Sequence, residues 1–196
     1  MNATAHTKAT RIAGIGIFAA IVVVLQLFAT LVPFTFPITL VLVPIVIGAA
    51  IYGIAAGAIL GGVFALVVLV MTISGADPGA FILWTANPLA TFLVIMLRGI
   101  LAGTTAGAVY QALAPKHKMA AVVCAAIATP IVNTGLFILA MQFIFPDIVT
   151  QWADGASHIY FLLIGLAGLN FVIEMAINIV LSPTIVRIIH IAKRGR

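Results

Sequence analysis

Long apolar stretches separated by short polar connections dominate the chain. They cover about residues 12–32, 40–72, 88–113, 119–145 and 159–185. A helix needs about 20 apolar residues to cross the hydrocarbon core of a bilayer, so the second stretch is too long for one crossing. Tyr52-Gly53 near its middle offers a turn. Dividing the stretch there predicts six transmembrane helices, at about residues 11–32, 39–52, 54–73, 87–113, 119–145 and 158–190.

The composition is also that of a membrane protein. Hydrophobic residues make up 64% of the 196 residues and charged residues only 7%, which is far from the composition of a soluble domain. We therefore expect one all-α integral membrane domain over residues 1–196, with no separate soluble catalytic domain. The polar, weakly basic start resembles a signal peptide, but the apolar stretch after it is too long and lacks a convincing cleavage site. It is interpreted as a retained first helix.

The basic residues indicate how the bundle is oriented, because cytoplasmic loops are enriched in Lys and Arg. With six crossings and the amino terminus inside, the following basic residues all fall on the cytoplasmic side: Lys8, Arg11, Lys116, Lys118, Arg187, Lys193, Arg194 and Arg196. A single helix over residues 40–72 would instead separate Lys116 and Lys118 from Lys8 and Arg11. We therefore expect both termini to be cytoplasmic. The net charge of +5 follows from this orientation and does not indicate binding to nucleic acid.

The predicted outer connections, at residues 33–39, 74–87 and 146–157, carry acidic and aromatic residues but no cation. Two of them are long for a minimal bundle, and long connections usually have a use. Trp84 suits an interfacial anchor and a ligand contact equally well, whereas Trp152 suits an anchor better. We include Trp84, Phe81 and Thr35 among the candidate ligand contacts.

Two charged residues lie deep inside predicted helices, where they cannot easily reach water. Arg98 is about ten residues inside the fourth helix, and Glu174 is about fifteen inside the sixth. Such residues usually face the interior of a bundle and mark function.

Polar neutral residues accompany these two charges. Asn87 and Thr91 share a helical face with Arg98, at the spacing i, i+4, i+11. A second polar stripe and one further asparagine complete the set, formed by Asn170, Glu174 and Asn178 in the sixth helix and Asn133 in the fifth. Three helices could thus converge on one polar cavity.

Two interpretations of this pattern remain open. In the first, Arg98 and Glu174 form an ion pair and the asparagines cross-link helices, so that nothing is bound. In the second, the guanidinium of Arg98 faces a cavity and donates two parallel hydrogen bonds to a carboxylate of a small ligand. The second interpretation predicts a small, polar, anionic ligand.

Small residues recur at a spacing of four, which permits close approach of helices. Gly16 and Ala20 do so in the first helix, and Gly53, Gly57 and Gly61 in the third. Packing within the bundle is the commoner reason for such a pattern, and contact with a helix of a partner protein is the alternative.

The chain resembles the substrate-binding S components of energy-coupling factor (ECF) vitamin transporters over nearly its whole length. The segment from Gly16 to Ala20 is similar to the family's first-helix AxxxA motif, with glycine in place of the first alanine. Pro44, the Tyr52-Gly53 turn and the glycine-rich third helix are similar to the family's second and third helices. The resemblance implies that Gly16 and Ala20 dock on the transmembrane coupling protein.

The run from Asn87-Pro88 through Arg98-Gly99 to Gly103 is similar to the fourth helix of S components of the pantothenate type. The resemblance implies that Asn87, Arg98 and Asn133 contact the ligand, with the arginine facing its carboxylate. Together with the positional argument above, the candidate substrate-binding residues are Arg98, Asn87, Asn133, Thr91, Trp84, Asn170, Glu174, Phe81 and Thr35. Pantothenate is the expected ligand. The alternatives within the family are folate, riboflavin, pyridoxine or hydroxymethylpyrimidine, and cobalamin.

The resemblance also implies partners. The chain contains no GxxxxGK[ST] phosphate loop, so ATP hydrolysis would be supplied by two separate ATPase subunits acting through the coupling protein. We expect no cofactor, no metal site and no catalytic residue, since HExxH and GxSxG patterns are absent from the sequence. A stand-alone secondary transporter is the competing class. It would be favoured by an internal repeat, and no convincing repeat relates the two halves.

Overall fold

The computed structural model describes residues 3–31, 40–166 and 168–194, and these ranges are helical without any strand. The helices are α1 (Ala3–Leu31), α2 (Leu42–Tyr52), α3 (Ile54–Ile73), α4 (Pro78–Ala86), α5 (Pro88–Leu113), α6 (Lys118–Ile144), α7 (Pro146–Ala153), α8 (His158–Tyr160) and α9 (Gly168–Arg194). A π-helix, Phe161–Leu166, follows α8 directly. The predicted all-α class is confirmed.

Five helices within the described ranges are long and apolar enough to cross a membrane. They contain the spans Lys8–Thr30, Ile54–Ile73, Pro88–Leu113, Lys118–Ile144 and Phe171–Ala192. Large apolar side chains on these helices face outward, with Phe143 76% and Val180 75% exposed, as expected of a surface in contact with lipid. The chain is therefore a membrane protein with several apolar helices. The sixth crossing and the orientation of the termini stay predictions.

α2 is the shorter apolar helix, and it is the most enclosed one. All of its residues except Val43 and Tyr52 are buried, and Ile45, Val46 and Ala49 have no exposed surface. Residues of α2 belong to both of the larger apolar clusters, one shared with α1, α3 and α5 and the other with α5, α6 and α9. α2 thus forms the centre of the bundle. It ends at Gly53, whose φ of 94° favours glycine.

α3 and α5 pack through their glycines. A Cβ atom added to Gly61 would collide with the carbonyl oxygen of Gly99, and one added to Gly57 would collide with the carbonyl oxygen of Gly103. The reverse is also true, since Cβ atoms on Gly99 and Gly103 would meet the backbone of α3. For Gly57 and Gly61 the spacing therefore serves packing inside the bundle, as small residues in membrane helices commonly do.

Two of the predicted outer connections contain short helices. α4 lies within residues 74–87 and α7 within residues 146–157. Asp77 caps α4 by accepting a hydrogen bond from the backbone N–H of Ala80 at 3.0 Å, and Pro78 supplies the preferred first residue. Because the cap fixes the turn before α4, it also fixes the position of the Asp77 carboxylate.

Candidate ligand-binding site

A cavity of about 410 Å³ lies near the end of the bundle opposite the described ends of the chain. It is enclosed by α1, α2, α3, α5, α6, α9 and the turn that precedes α4. Its volume is in the range of pockets that enclose small ligands. Its polar wall consists of Gln26, Thr30, Asp77, Arg98, Asn133, Thr134 and Glu174, and its aromatic wall of Phe64, Phe137 and Phe171.

Arg98 reaches this cavity from the middle of α5. Its guanidinium carbon lies 5.1 Å from the centre of the Phe137 ring, an arrangement in which the cation is attracted to the ring face. The Arg98 Nε atom is buried and has no hydrogen-bond partner among the described residues. A buried donor without a partner is costly, so this N–H is an unmet hydrogen-bonding group beside the cavity.

Two residues that line the same cavity carry amide oxygens for which the described part of the chain supplies no partner. Gln26 Oε1 and Asn133 Oδ1 are buried and accept no hydrogen bond from the described residues. The Gln26 Nε2 atom donates to the Thr30 hydroxyl at 3.1 Å, which fixes the orientation of the amide. Three residues that line the cavity thus each carry a buried polar atom that has no hydrogen-bond partner among the described residues.

The cavity carries more negative than positive side chains. Asp77 and Glu174 both line it and both act electrostatically on Arg98. Glu174 is buried, with 6% of its surface exposed, while Asp77 is partly exposed. The binding interpretation required a void beside Arg98, and this void is present with two carboxylates on its wall.

Three of the candidate residues, Arg98, Asn133 and Glu174, meet at the cavity. Thr91 does not line this cavity. Together with Arg98 it lines a neighbouring space of about 20 Å³. The Thr91 hydroxyl donates to the backbone carbonyl oxygen of Asn87 at 2.9 Å. The Asn87 side chain is an exposed N-cap of α5 that accepts from the backbone N–H of Ala90 at 3.0 Å, so it organises the helix start.

Two of the remaining candidates do not line the cavity, and two others cannot be placed within the described residues. Trp84 and Phe81 belong to α4, where Trp84 is half-buried and Phe81 is 39% exposed, and neither lines the cavity. Thr35 and the side chain of Asn170 lie outside the described residues. Sequence reasoning missed Gln26 and Asp77. A glutamine in the first apolar stretch could have been found by the argument that selected Asn133.

The candidate docking residues lie on the outer surface of α1. Gly16 and Ala20 are exposed, and a Cβ atom added to Gly16 would meet no atom within 4 Å. Gly14 differs, because a Cβ atom there would collide with the ring of Tyr52. The small surface around Gly16 is thus not used for packing within the described bundle.

An apolar helical bundle with a polar cavity between its helices is the architecture expected of a membrane protein that binds a small solute. The family model for the ECF transporter, substrate-specific component, matches residues 10–186, and the chain belongs to this family. Proteins of this family are substrate-binding components of transporters and not enzymes, and they work with a membrane coupling protein and ATPases. No curated protein and no solved structure matches the chain.

The family resemblance noted from the residues is therefore confirmed, and with it the transport class and the membrane location. The pantothenate subgroup stays a prediction.

Proposed function

We propose that this chain captures a small water-soluble vitamin in the Arg98 cavity and delivers it to a coupling protein driven by two ATPase subunits. The observation that carries the proposal is the 410 Å³ cavity lined by Gln26, Arg98 and Asn133, each of which has a buried polar atom without a partner among the described residues. Buried polar groups are normally hydrogen-bonded, so a ligand that supplies the missing bonds would be held strongly.

Pantothenate is the first candidate ligand. It has a carboxylate for the guanidinium of Arg98, and charge-assisted hydrogen bonds of this kind are about twice as strong as neutral ones. It also has hydroxyl and amide N–H donors, which match the amide oxygens of Gln26 and Asn133 and the carboxylate of Glu174. One molecule with an anionic end and a donor-rich end would satisfy both signs of charge on the wall.

A vitamin with a basic nitrogen is the second candidate, and the position of Asp77 favours it. Two carboxylates and one guanidinium leave the wall with an excess of negative charge. An aminopyrimidine or pyridine ring could place its nitrogen against Asp77 or Glu174 and stack on Phe137 or Phe171. The same cavity would then select a different vitamin by electrostatics.

We further propose that both termini are cytoplasmic, so that the cavity is near the outer face. This orientation is supported by the basic residues at the opposite end of the bundle. Gly16 and Ala20 would form the docking surface for the coupling protein, as their exposure on α1 allows.

The test is a calorimetric screen of the purified protein against pantothenate, pyridoxine, hydroxymethylpyrimidine, riboflavin, folate and cobalamin. We expect pantothenate to bind, and we expect Arg98→Ala to weaken binding by about tenfold to a hundredfold, since hydrogen bonds to charged groups contribute about 1.5–3 kcal/mol. Asn133→Ala should weaken binding by a smaller factor.

Asn178→Ala is the matched control, because Asn178, like Asn133, is an asparagine of a long helix with a buried side-chain polar atom, but it does not line the cavity. The Asn178→Ala variant should bind pantothenate as tightly as the unmodified protein does. If none of these vitamins binds, the proposed ligand class is wrong. If Arg98→Ala and Asn178→Ala have equal effects, the cavity is not the binding site.

A further inference from the structure

A second, larger recess opens at the end of the bundle opposite the Arg98 cavity. It has a volume of about 810 Å³ and is enclosed by α2, α5, α6 and α9. Most of its floor is apolar, formed by residues such as Ile51, Val122, Val186 and Ile189. The proposed function uses none of these residues.

The rim of this recess is basic. Lys118 is the first residue of α6, and Arg187 and His190 lie three positions apart on α9. No acidic residue lines the recess among the described residues. The four acidic residues of the chain lie elsewhere. Asp77 and Glu174 line the Arg98 cavity. Asp147 lies in α7 and Asp154 directly follows it, at the other end of α6.

The amino end of α6 adds to the positive character of the rim. His117, the N-cap residue of α6, makes no capping hydrogen bond with its side chain. Backbone N–H groups at a helix start attract anions, so this end supports the side-chain charges of Lys118 and Arg187.

We propose that this recess binds an anionic phospholipid, with the phosphate at Lys118 and Arg187 and an acyl chain along the apolar floor. An amphipathic ligand is required because the apolar floor and the basic rim belong to one recess. A lipid is the amphipathic anion that a membrane-embedded recess meets, and basic pockets between transmembrane helices bind anionic headgroups in this way. The proposal does not depend on which vitamin the other cavity holds.

The test is native mass spectrometry of the full chain released from detergent with equimolar phosphatidylglycerol and phosphatidylcholine of identical acyl chains. We expect phosphatidylglycerol to be retained preferentially. Lys118→Gln and Arg187→Gln should each reduce its retention about fivefold, as expected from the loss of one basic group near a lipid headgroup. Lys8→Gln is the control, because Lys8 is an exposed lysine of α1 that does not line the recess.

A second variant tests the apolar floor without changing charge. Ala114→Phe places a bulky ring in the recess and should reduce retention of both lipids, while the melting temperature and vitamin binding show that the protein is folded. Equal retention of the two lipids, or equal losses in Lys8→Gln and Arg187→Gln, would overturn the proposal. So would phosphatidylglycerol retention that is unchanged by Lys118→Gln and Arg187→Gln.

Discussion

The guanidinium of Arg98 lies over the ring of Phe137, with 5.1 Å between the guanidinium carbon and the ring centre. The two residues come from different helices, α5 and α6, and both line the 410 Å³ cavity. The ring therefore stabilises a cation that has little access to water. It also limits the directions in which the guanidinium can donate hydrogen bonds to a ligand.

Replacing Phe137 tests this relationship. We expect Phe137→Leu to weaken binding of the vitamin by about threefold to thirtyfold, because cation–π contacts contribute about 0.5–2 kcal/mol. Phe137→Tyr keeps an aromatic face and should bind nearly as well as the unmodified protein. Calorimetry of the purified variants measures both affinities. Equal affinity for Phe137→Leu and Phe137→Tyr would contradict a role for the ring.

Removing the charge of Asp77 distinguishes the two candidate ligands. Asp77→Asn retains a side-chain oxygen that can cap α4, so the fold of the turn should persist while one negative charge is lost. An anionic vitamin should then bind as tightly or more tightly, because repulsion from its carboxylate falls. A vitamin with a basic nitrogen should bind more weakly. Calorimetry with each vitamin separates these outcomes, and a loss of pantothenate affinity would contradict the carboxylate assignment.

The glycine contacts between α3 and α5 predict a specific pattern of stability. Gly61→Ala places a methyl group against the carbonyl oxygen of Gly99, and forcing extra volume into a packed interface costs about 1–3 kcal/mol. We expect a lower melting temperature in detergent for Gly61→Ala and Gly57→Ala. Gly62→Ala is the control on the same helix, since its added Cβ atom has only an ordinary contact at 3.7 Å. Equal melting temperatures for Gly61→Ala and Gly62→Ala would contradict backbone packing.

The exposed surface around Gly16 predicts a separation of binding from transport. Gly16→Leu and Ala20→Leu should leave vitamin affinity unchanged but abolish uptake in cells that contain the coupling protein and the ATPases. The physical reason is that a leucine prevents the close approach of a partner helix. Ala108→Leu, an equal change at an exposed position of α5, should transport normally. Normal uptake by Gly16→Leu would exclude the docking role.

Cysteine labelling tests the number and direction of the crossings. Starting from Cys124→Ala, we expect a membrane-impermeant maleimide to label Asp154→Cys in intact cells, and Lys8→Cys and Lys116→Cys only after permeabilisation. Six crossings place Lys8 and Lys116 on the same side, whereas five would place them on opposite sides. Labelling of Lys116→Cys alone in intact cells would therefore contradict the sixth crossing.

The helical class followed from the sequence because apolar length is a local property of the chain. The meeting of Arg98, Asn133 and Glu174 could also be predicted. Polar side chains at lipid depth almost always face the bundle interior, because exposure to lipid is costly. Asp77 could not be predicted in the same way. It belongs to a connection, and although its cap on α4 is local, its place beside the cavity depends on how the connection packs on the other helices.

The glycines show a second limit of prediction from the sequence. The same spacing of small residues describes Gly57 and Gly61, which pack on α5, and Gly16 and Ala20, which are exposed. Spacing reports only that a close approach is possible, while the identity of the neighbour depends on how the whole bundle assembles.

The contact of α3 with α5 has a consequence for how ligand preference can change. Arg98 immediately precedes Gly99, whose backbone lies against the backbone of Gly61, so the position of the cation along the bundle is tied to a close contact between two helix backbones. The walls on α1, α6 and α9 contribute Gln26, Asn133 and Glu174 to the cavity. Redesign toward another vitamin should therefore succeed at Gln26, Asn133 or Glu174, with the arginine kept as a fixed reference point.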